Sequence, residues 1–263
     1  MDHNEAGTYW NGNARAWTVL SRAGHDLYRD HVNTPGFFKI LPEIRGLKGL
    51  DIGCGEGHNT HLLAEMGANL TGIDISEEFI GFAQQAELEH AQGISYQVAS
   101  AVALPFPDNA FDFATAFMSF MDIPELTQVL SEAHRVIKPG GFLQFSITHP
   151  CFNTPYRKNL RNAQGKTYAV AVGDYFHNLN GQIDEWTFGS APMALRARLP
   201  RFQTPRFTLT LSEWINGLIQ AGFQIEEIAE PRPSDETVEH LPQVQDAQIV
   251  AYFLHIRVRK PQT

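Results

Sequence analysis

The sequence is poor in cysteine. Cys54 and Cys151 are the only two and lie far apart without paired Cys/His spacing, so neither a disulfide framework nor a structural zinc site is indicated and a reducing, cytoplasmic setting fits. A surplus of positive charge is also missing. The 20 Lys and Arg against 29 Asp and Glu leave a formal net charge of -9, the wrong sign for a chain that neutralises many phosphates, so a nucleic-acid partner is disfavoured. No segment runs about 18 apolar residues without a charge, and the start MDHNEAGTYW lacks the basic residues and apolar stretch of a signal peptide. The expectation is an unexported protein with no membrane partner. Internal repeats and low-complexity tracts are absent as well.

What is present is the composition of a packed protein: 263 residues, 43% hydrophobic and 19% charged, enough for one large domain or a domain with a cap. Between about residues 46 and 258, short apolar runs alternate with amphipathic stretches, the mark of an α/β sheet. The pattern predicts strands at 47–52, 69–73, 95–98, 112–116 and 142–147. Helices are predicted over 58–66, with Leu62, Leu63 and Met66 on one face, and through Leu126, Val129, Leu130, Ala133 and Val136. Ser76 reads as an N-cap followed by Glu77 and Glu78, placed where the helix dipole favours acids. Lys138-Pro139-Gly140-Gly141 reads as the stop before the fifth strand.

From 149 to about 206 the pattern breaks under repeated Pro and Gly among many aromatics. Segments of that length without regular structure tend to be lids or binding elements. Regularity returns with Ser212 as an N-cap, a helix presenting Trp214, Ile215, Leu218 and Ile219, a stop at Gly222, and strands near 224–229 and 248–257.

Leu50-Asp51-Ile52-Gly53-Cys54-Gly55-Glu56-Gly57 sits where the first strand turns into the first helix, the place where open α/β sheets bind ligands. About 20 residues on, the second strand ends at Asp74, placed to accept bonds from two ribose hydroxyls. A dinucleotide fingerprint needs a small residue where His58 stands, and a pyrophosphate disfavours Asp51 and Glu56 nearby. A ligand with an adenosine, no phosphate, and positive ammonium and sulfonium groups suits an acidic loop better. S-adenosylmethionine is such a ligand. Glu56 itself reads more simply as a first-turn acid.

LDIGCGEG at 50–57, GIDIS at 72–76, LPFPDNAFD at 104–112 and RVIKPGGFL at 135–143 together resemble the class I S-adenosylmethionine-dependent methyltransferases, in the broad group acting on small molecules in bacteria and similar to the type 11 domain. The resemblance covers nearly all of the regular α/β part. It implies a doubly wound, Rossmann-like seven-stranded mixed sheet of order 3-2-1-4-5-7-6 with an antiparallel last strand. One methyltransferase domain over 1–263 is expected, with an N-terminal helical cover at 1–45 and an inserted lid at 149–206. The resemblance also implies that Asp51 and the Gly53, Cys54 and Gly55 backbone lie along the methionine moiety. Asp74 and Ile75 would meet the ribose side, Ala101 the adenine edge, and Phe117 the same cofactor. Many relatives carry an acid where Ser100 stands, and here only a hydroxyl is offered.

The expected function is methyl transfer from S-adenosylmethionine to an O, N or C atom of a small molecule. The rivals are a methyltransferase for tRNA or protein and a non-catalytic binder of the cofactor. His149, after the fifth strand, is a candidate general base with near-neutral pKa, or else a strand-end residue bonded to backbone before Pro150. Tyr175 and Trp186, among the aromatics Phe152, Tyr156, Tyr168, Phe176 and Phe188, face the acceptor or form the core of a small subdomain. Trp10, Trp17 and Tyr28 carry the same two readings, core or cofactor cover. His58 and His61, one helical turn apart, lack a third ligand, so no metal is expected.

Overall fold

Apolar runs that tolerate water on neither side set the middle of the molecule, whose computed structural model describes residues 1–262. Strands β1 (Lys48–Ile52), β2 (Asn69–Asp74), β3 (Ser95–Val98), β4 (Phe111–Phe117) and β5 (Ile137–Thr148) pair in parallel. All of β1 after Lys48 is buried, as a strand covered on both faces requires. Two hairpins follow β5: β6 (Tyr156–Arg161) with β7 (Thr167–Gly173), and β8 (Gln182–Trp186) with β9 (Phe202–Arg206). The chain then returns to the main sheet through β10 (Gln224–Ala229) and β11 (Phe253–Arg259), the latter antiparallel to both β5 and β10. The order is β3-β2-β1-β4-β5-β11-β10. With the hairpin strands set aside this is the expected 3-2-1-4-5-7-6.

The helices are α1 (His3–Arg22), α2 (Thr34–Lys39), α3 (His58–Glu65), α4 (Glu77–Glu89), α5 (Leu126–Val136), α6 (Met193–Arg196), α7 (Leu211–Gln220) and α8 (Asp235–His240). On one face, Leu130 and Ala133 of α5 and Trp214 and Leu218 of α7 pack with Leu50, Ala114 and Phe145. On the other, Leu63 of α3 and Ile80 and Ala83 of α4 pack with Leu70, Phe113 and Phe142. Strand alternation sends Phe113 and Ala114 to opposite layers. Burying each such Leu or Phe contributes about 1.5 to 3 kcal/mol.

Polar contacts fix α1 across the carboxyl edge of the sheet. Asn11 Oδ1 accepts from Ser76 Oγ (2.9 Å) and from the Glu78 N–H (3.0 Å), at the N-cap of α4. The Asn13 side chain exchanges two 2.9 Å bonds with the Gln203 backbone of β9. Gly7 rests on Ile75, where a Cβ would lie 2.9 Å from Ile75 Cδ1.

The segment 149–206, expected to be irregular, holds both hairpins. Most of their residues are half-buried or exposed on both sides, so ladder bonds define these strands and hydrophobic periodicity carries little sign of them. The N-cap of α7 is Thr210, not Ser212: Thr210 Oγ1 accepts from the Glu213 N–H, and Glu213 closes a capping box on the Thr210 N–H. Ile219 of the expected buried face is exposed.

The strand β5 starts at Ile137, with Lys138–Gly141 looped out inside it rather than ahead of it. Gly140 N–H donates to Lys260 O and Lys260 N–H to Gly141 O, each at 2.9 Å. At the far end, Pro242–Gln248 forms a 3-10 turn that buries Val244 and Ala247 against Val32 and Phe253. The last strand therefore begins at Phe253 and not near 248.

Thr210→Ala is expected to cost about 1 kcal/mol of stability, against a few tenths for Ser212→Ala. Urea denaturation of the two variants side by side checks this, and equal losses would contradict the assigned cap.

Candidate active site

The turn from β1 into α3 is built by a short set of bonds. Gly53 has φ +71°, and a Cβ there would lie 2.3 Å from Ser119 Cβ in the loop after β4, so only glycine fits that position. Ser119 Oγ donates to Ile52 O at 2.7 Å, joining the two loops. The Gly53 and Cys54 N–H groups both donate to Ile73 O, at 2.8 and 2.9 Å. Asp74 Oδ2 accepts the Gly55 N–H and Oδ1 accepts the Ser76 N–H, each at 2.9 Å.

Above these strand ends lies a cavity of about 500 Å³. Asp51, Gly53, Cys54, Gly55, Asp74 and Ile75 line it from the first two strand ends. Ser100 and Ala101 after β3 and Phe117 at the end of β4 line it beside them, and Tyr175 and Trp186 line it from the 149–206 segment. The fold thus brings these sequence candidates to one chamber. Trp10, Trp17 and Tyr28 reach the same wall, and Trp17 also packs edge-on to Trp186 and Phe188.

His149, the candidate base or strand-end residue, stands apart from the other candidates. Its ring is buried outside the cavity wall. Nδ1 accepts the Cys151 N–H at 3.2 Å, and Nε2 lies 2.8 Å from Glu230. With Nδ1 accepting, Nε2 carries the proton and donates to Glu230, which leaves no nitrogen facing an acceptor. Burial lowers its pKa, against the pull of Glu230. Glu56 also differs from its first-turn reading. It precedes the Gly57 cap of α3 and is buried between Arg22 (2.9 Å) and Arg29 (3.4 Å). His61 turns toward Glu87 at 3.7 Å while His58 lines the cavity, and no group of three metal-ligating side chains occurs among the described residues.

The two aspartates at the strand ends of the cavity are buried. Asp51 is fully buried, accepting from Thr60 Oγ1 (2.6 Å) and Thr115 Oγ1 (2.8 Å). Burial pushes its pKa up to about 6, opposed by those two bonds and helped by the charge of Asp74. Burial likewise raises Asp74 to about 6 against its backbone N–H bonds. Sequence reading missed Asp122, Asp184, Arg206 and the cavity role of Trp214, all of which line the chamber. Asp122 alone had a signal, since it follows β4 at the ligand-binding edge of the sheet; Asp184 and Arg206 arrive through a hairpin that the sequence pattern concealed.

Residues 50–145 match a family model described as a methyltransferase domain. A demethylmenaquinone methyltransferase of Staphylococcus epidermidis is 34% identical over 169 residues, covering 60% of this chain and 67% of that protein. A ubiquinone biosynthesis O-methyltransferase of Pseudomonas syringae is 32% identical over 138 residues, covering 52% of this chain and 54% of that protein. Among solved structures, an S-adenosylmethionine-dependent methyltransferase from Mesorhizobium loti is similar with a TM-score of 0.68 at 25% identity, covering 86% of this chain and 96% of that one.

The raised pKa of Asp51 has a stability consequence. A folded value of about 6 above the ordinary 3.8 means that the folded state binds more protons between those two values, so this group's contribution falls as pH rises through that window. Asp51→Asn keeps both threonine partners, whose hydroxyls can reverse direction. The ligand-free variant is therefore expected to melt above the parent at pH 7, with the gap closing toward pH 4. Thermal denaturation across that range checks it, and a variant less stable at pH 7 would contradict the assignment.

Proposed function

The chain belongs to the class I S-adenosylmethionine-dependent methyltransferases, and from that premise we propose that its acceptor is a small molecule held between the sheet edge and the segment 149–206. S-adenosylmethionine is the cofactor, and it supplies a methyl group already activated on a sulfonium. The protein's part is to align the acceptor and exclude water, where proximity alone contributes about 7 to 11 kcal/mol. The observation that carries the small-molecule reading is the chamber itself. Its 500 Å³ or so falls within the roughly 300 to 1,000 Å³ of small-molecule sites, and Tyr175, Trp186 and Arg206 wall it opposite the strand ends. The methyl acceptors of the menaquinone and ubiquinone relatives are in keeping with a small acceptor.

The residues suit the cofactor. The acidic Asp51 and Asp74 favour a ligand with ammonium and sulfonium charges, and no atom lies within 4 Å of where a Cβ on Gly55 would stand, so the ligand can approach backbone there. Each Asp74 oxygen keeps a lone pair beyond the N–H it accepts, which we assign to the ribose diol. The Gly53 and Cys54 N–H groups are committed to Ile73, and the stretch Gly53 to Gly55, which lines the chamber, is assigned to the methionine moiety. Ile75 and Phe117 give apolar flanks, and the Ser100 hydroxyl and Ala101 backbone the adenine side. In this reading the residues 149–206 act as a lid and 1–45 as a cover, the two joined where Asn13 meets Gln203.

S-adenosylhomocysteine is expected to raise the melting temperature, since a ligand at about 100 times its Kd adds about 2.7 kcal/mol, and NAD is expected to leave it unchanged. Asp74→Ala should weaken that binding at least about tenfold, the worth of one charge-assisted bond. With methyl-labelled S-adenosylmethionine offered to metabolite, RNA and protein fractions of a cell extract, label should enter the metabolites. Label confined to RNA or protein would overturn the small-molecule acceptor.

A further inference from the structure

Six carboxylates line the chamber: Asp26, Asp51, Glu56, Asp74, Asp122 and Asp184. Five accept hydrogen bonds from within the chain. Asp26 takes the Arg29 N–H, Asp184 takes Arg206 Nη1 at 2.9 Å, Glu56 takes Arg22 and Arg29, and Asp51 and Asp74 are bonded as described above. The Asp122 carboxylate has no hydrogen bond and no ion pair among the described residues. It is half-buried on the cavity wall with no partner inside the chain, and so is open to something that enters the cavity.

We propose that Asp122 takes the proton of the methyl acceptor, and that the acceptor carries this proton on an aromatic hydroxyl. The inference rests on the small-molecule methyl-transfer reading above and names the acceptor's class. Asp122 ends the short turn Phe120–Asp122 after β4, at the edge where the cofactor-binding residues converge. Arg206 on β9 acts on it through charge but is tied to Asp184 on β8, and His3 at the start of α1, which lines the same chamber, is paired with Glu125 at 3.2 Å. The Tyr175 hydroxyl accepts the Leu211 N–H at 2.8 Å. Trp214 of α7, Tyr175, Trp186 and Phe207 line the same chamber, and aromatic walls suit a flat ring. Burial raises the Asp122 carboxyl well above the usual carboxylate range, with Arg206 opposing, which makes it a stronger base than an exposed aspartate. In the step, the acceptor O–H bond leaves its electron pair on oxygen and its proton on an Asp122 oxygen. The acceptor oxygen forms the O–C bond to the methyl carbon while the C–S pair returns to sulfur.

The test uses 2-naphthol, a fluorescent aromatic alcohol whose neutral and ionised forms emit at different wavelengths and which becomes a strong acid on excitation. Bound to the protein saturated with S-adenosylhomocysteine, it is expected to emit as the naphtholate. Its methyl ether, 2-methoxynaphthalene, should bind at least about tenfold more weakly for want of the charge-assisted bond. In Asp122→Asn the emission should shift to the neutral form while S-adenosylhomocysteine still binds, which also shows that the variant is folded. Asp184→Ala frees Arg206 to pair with Asp122 and should likewise reduce naphtholate emission. Failure of 2-naphthol to bind the loaded protein, or naphtholate emission unchanged in Asp122→Asn, overturns the proposal for Asp122. Failure of the parent to bind S-adenosylhomocysteine would instead overturn the methyl-transfer reading.

Discussion

One carboxylate organises the ligand-binding edge of the sheet. Asp74 closes β2 and bonds to the N–H of Gly55 in the turn after β1 and of Ser76 at the cap of α4. Ser76 in turn is gripped by Asn11 of α1. Two loops and the N-terminal helix are thereby referred to one buried charge. Such bonds are short and directional, and the glycine turn has few internal contacts of its own to hold its shape. The same carboxylate faces the cavity, so the group that sets the geometry of the turn also presents charge to whatever binds there.

That arrangement has an energetic consequence. Asp51 and Asp74 are both buried, close enough that the charge of Asp74 raises the pKa of Asp51, and desolvation is the leading influence on each. Hydrogen bonds from threonines and backbone offset only part of it. Elsewhere on the wall, Glu56 is neutralised by Arg22 and Arg29 and Asp184 by Arg206. The chamber therefore combines acids balanced within the fold with acids left to a ligand, and stability is held below its optimum where binding needs charge.

The hairpins β6–β7 and β8–β9 depend on the rest of the molecule for their position. Trp186 and Phe202 join Trp17 of α1 and Phe188 in one aromatic cluster. Arg157 and Asn159 of β6 bond to Asp246 near the C-terminus, which also accepts from Tyr28. The wall opposite the strand ends is thus pinned from both chain ends, and side chains such as Tyr175 and Arg206 reach the chamber only because of that pinning.

The resemblance of its motifs supplied the sheet order and the residues from Asp51 to Phe117 expected at the strand ends, and the sequence by itself determined the first five strands, the glycine turn and Ser76 as a cap. Those features are local or periodic: buried parallel strands read as apolar runs, and a turn needing positive φ reads as glycine. Tertiary structure alone decided the rest. The two hairpins were hidden because their strands are only partly buried. Thr210 displaced Ser212 as a cap because Glu213 could close a box with it. His149 turned to Glu230 and the Cys151 backbone, since a strand end has two sides and nothing local chooses between them. Asp122, Asp184 and Arg206 became neighbours only when a hairpin more than sixty residues downstream of β4 folded over the sheet. Burial, partner and orientation are properties of that closure, and no window of sequence contains them.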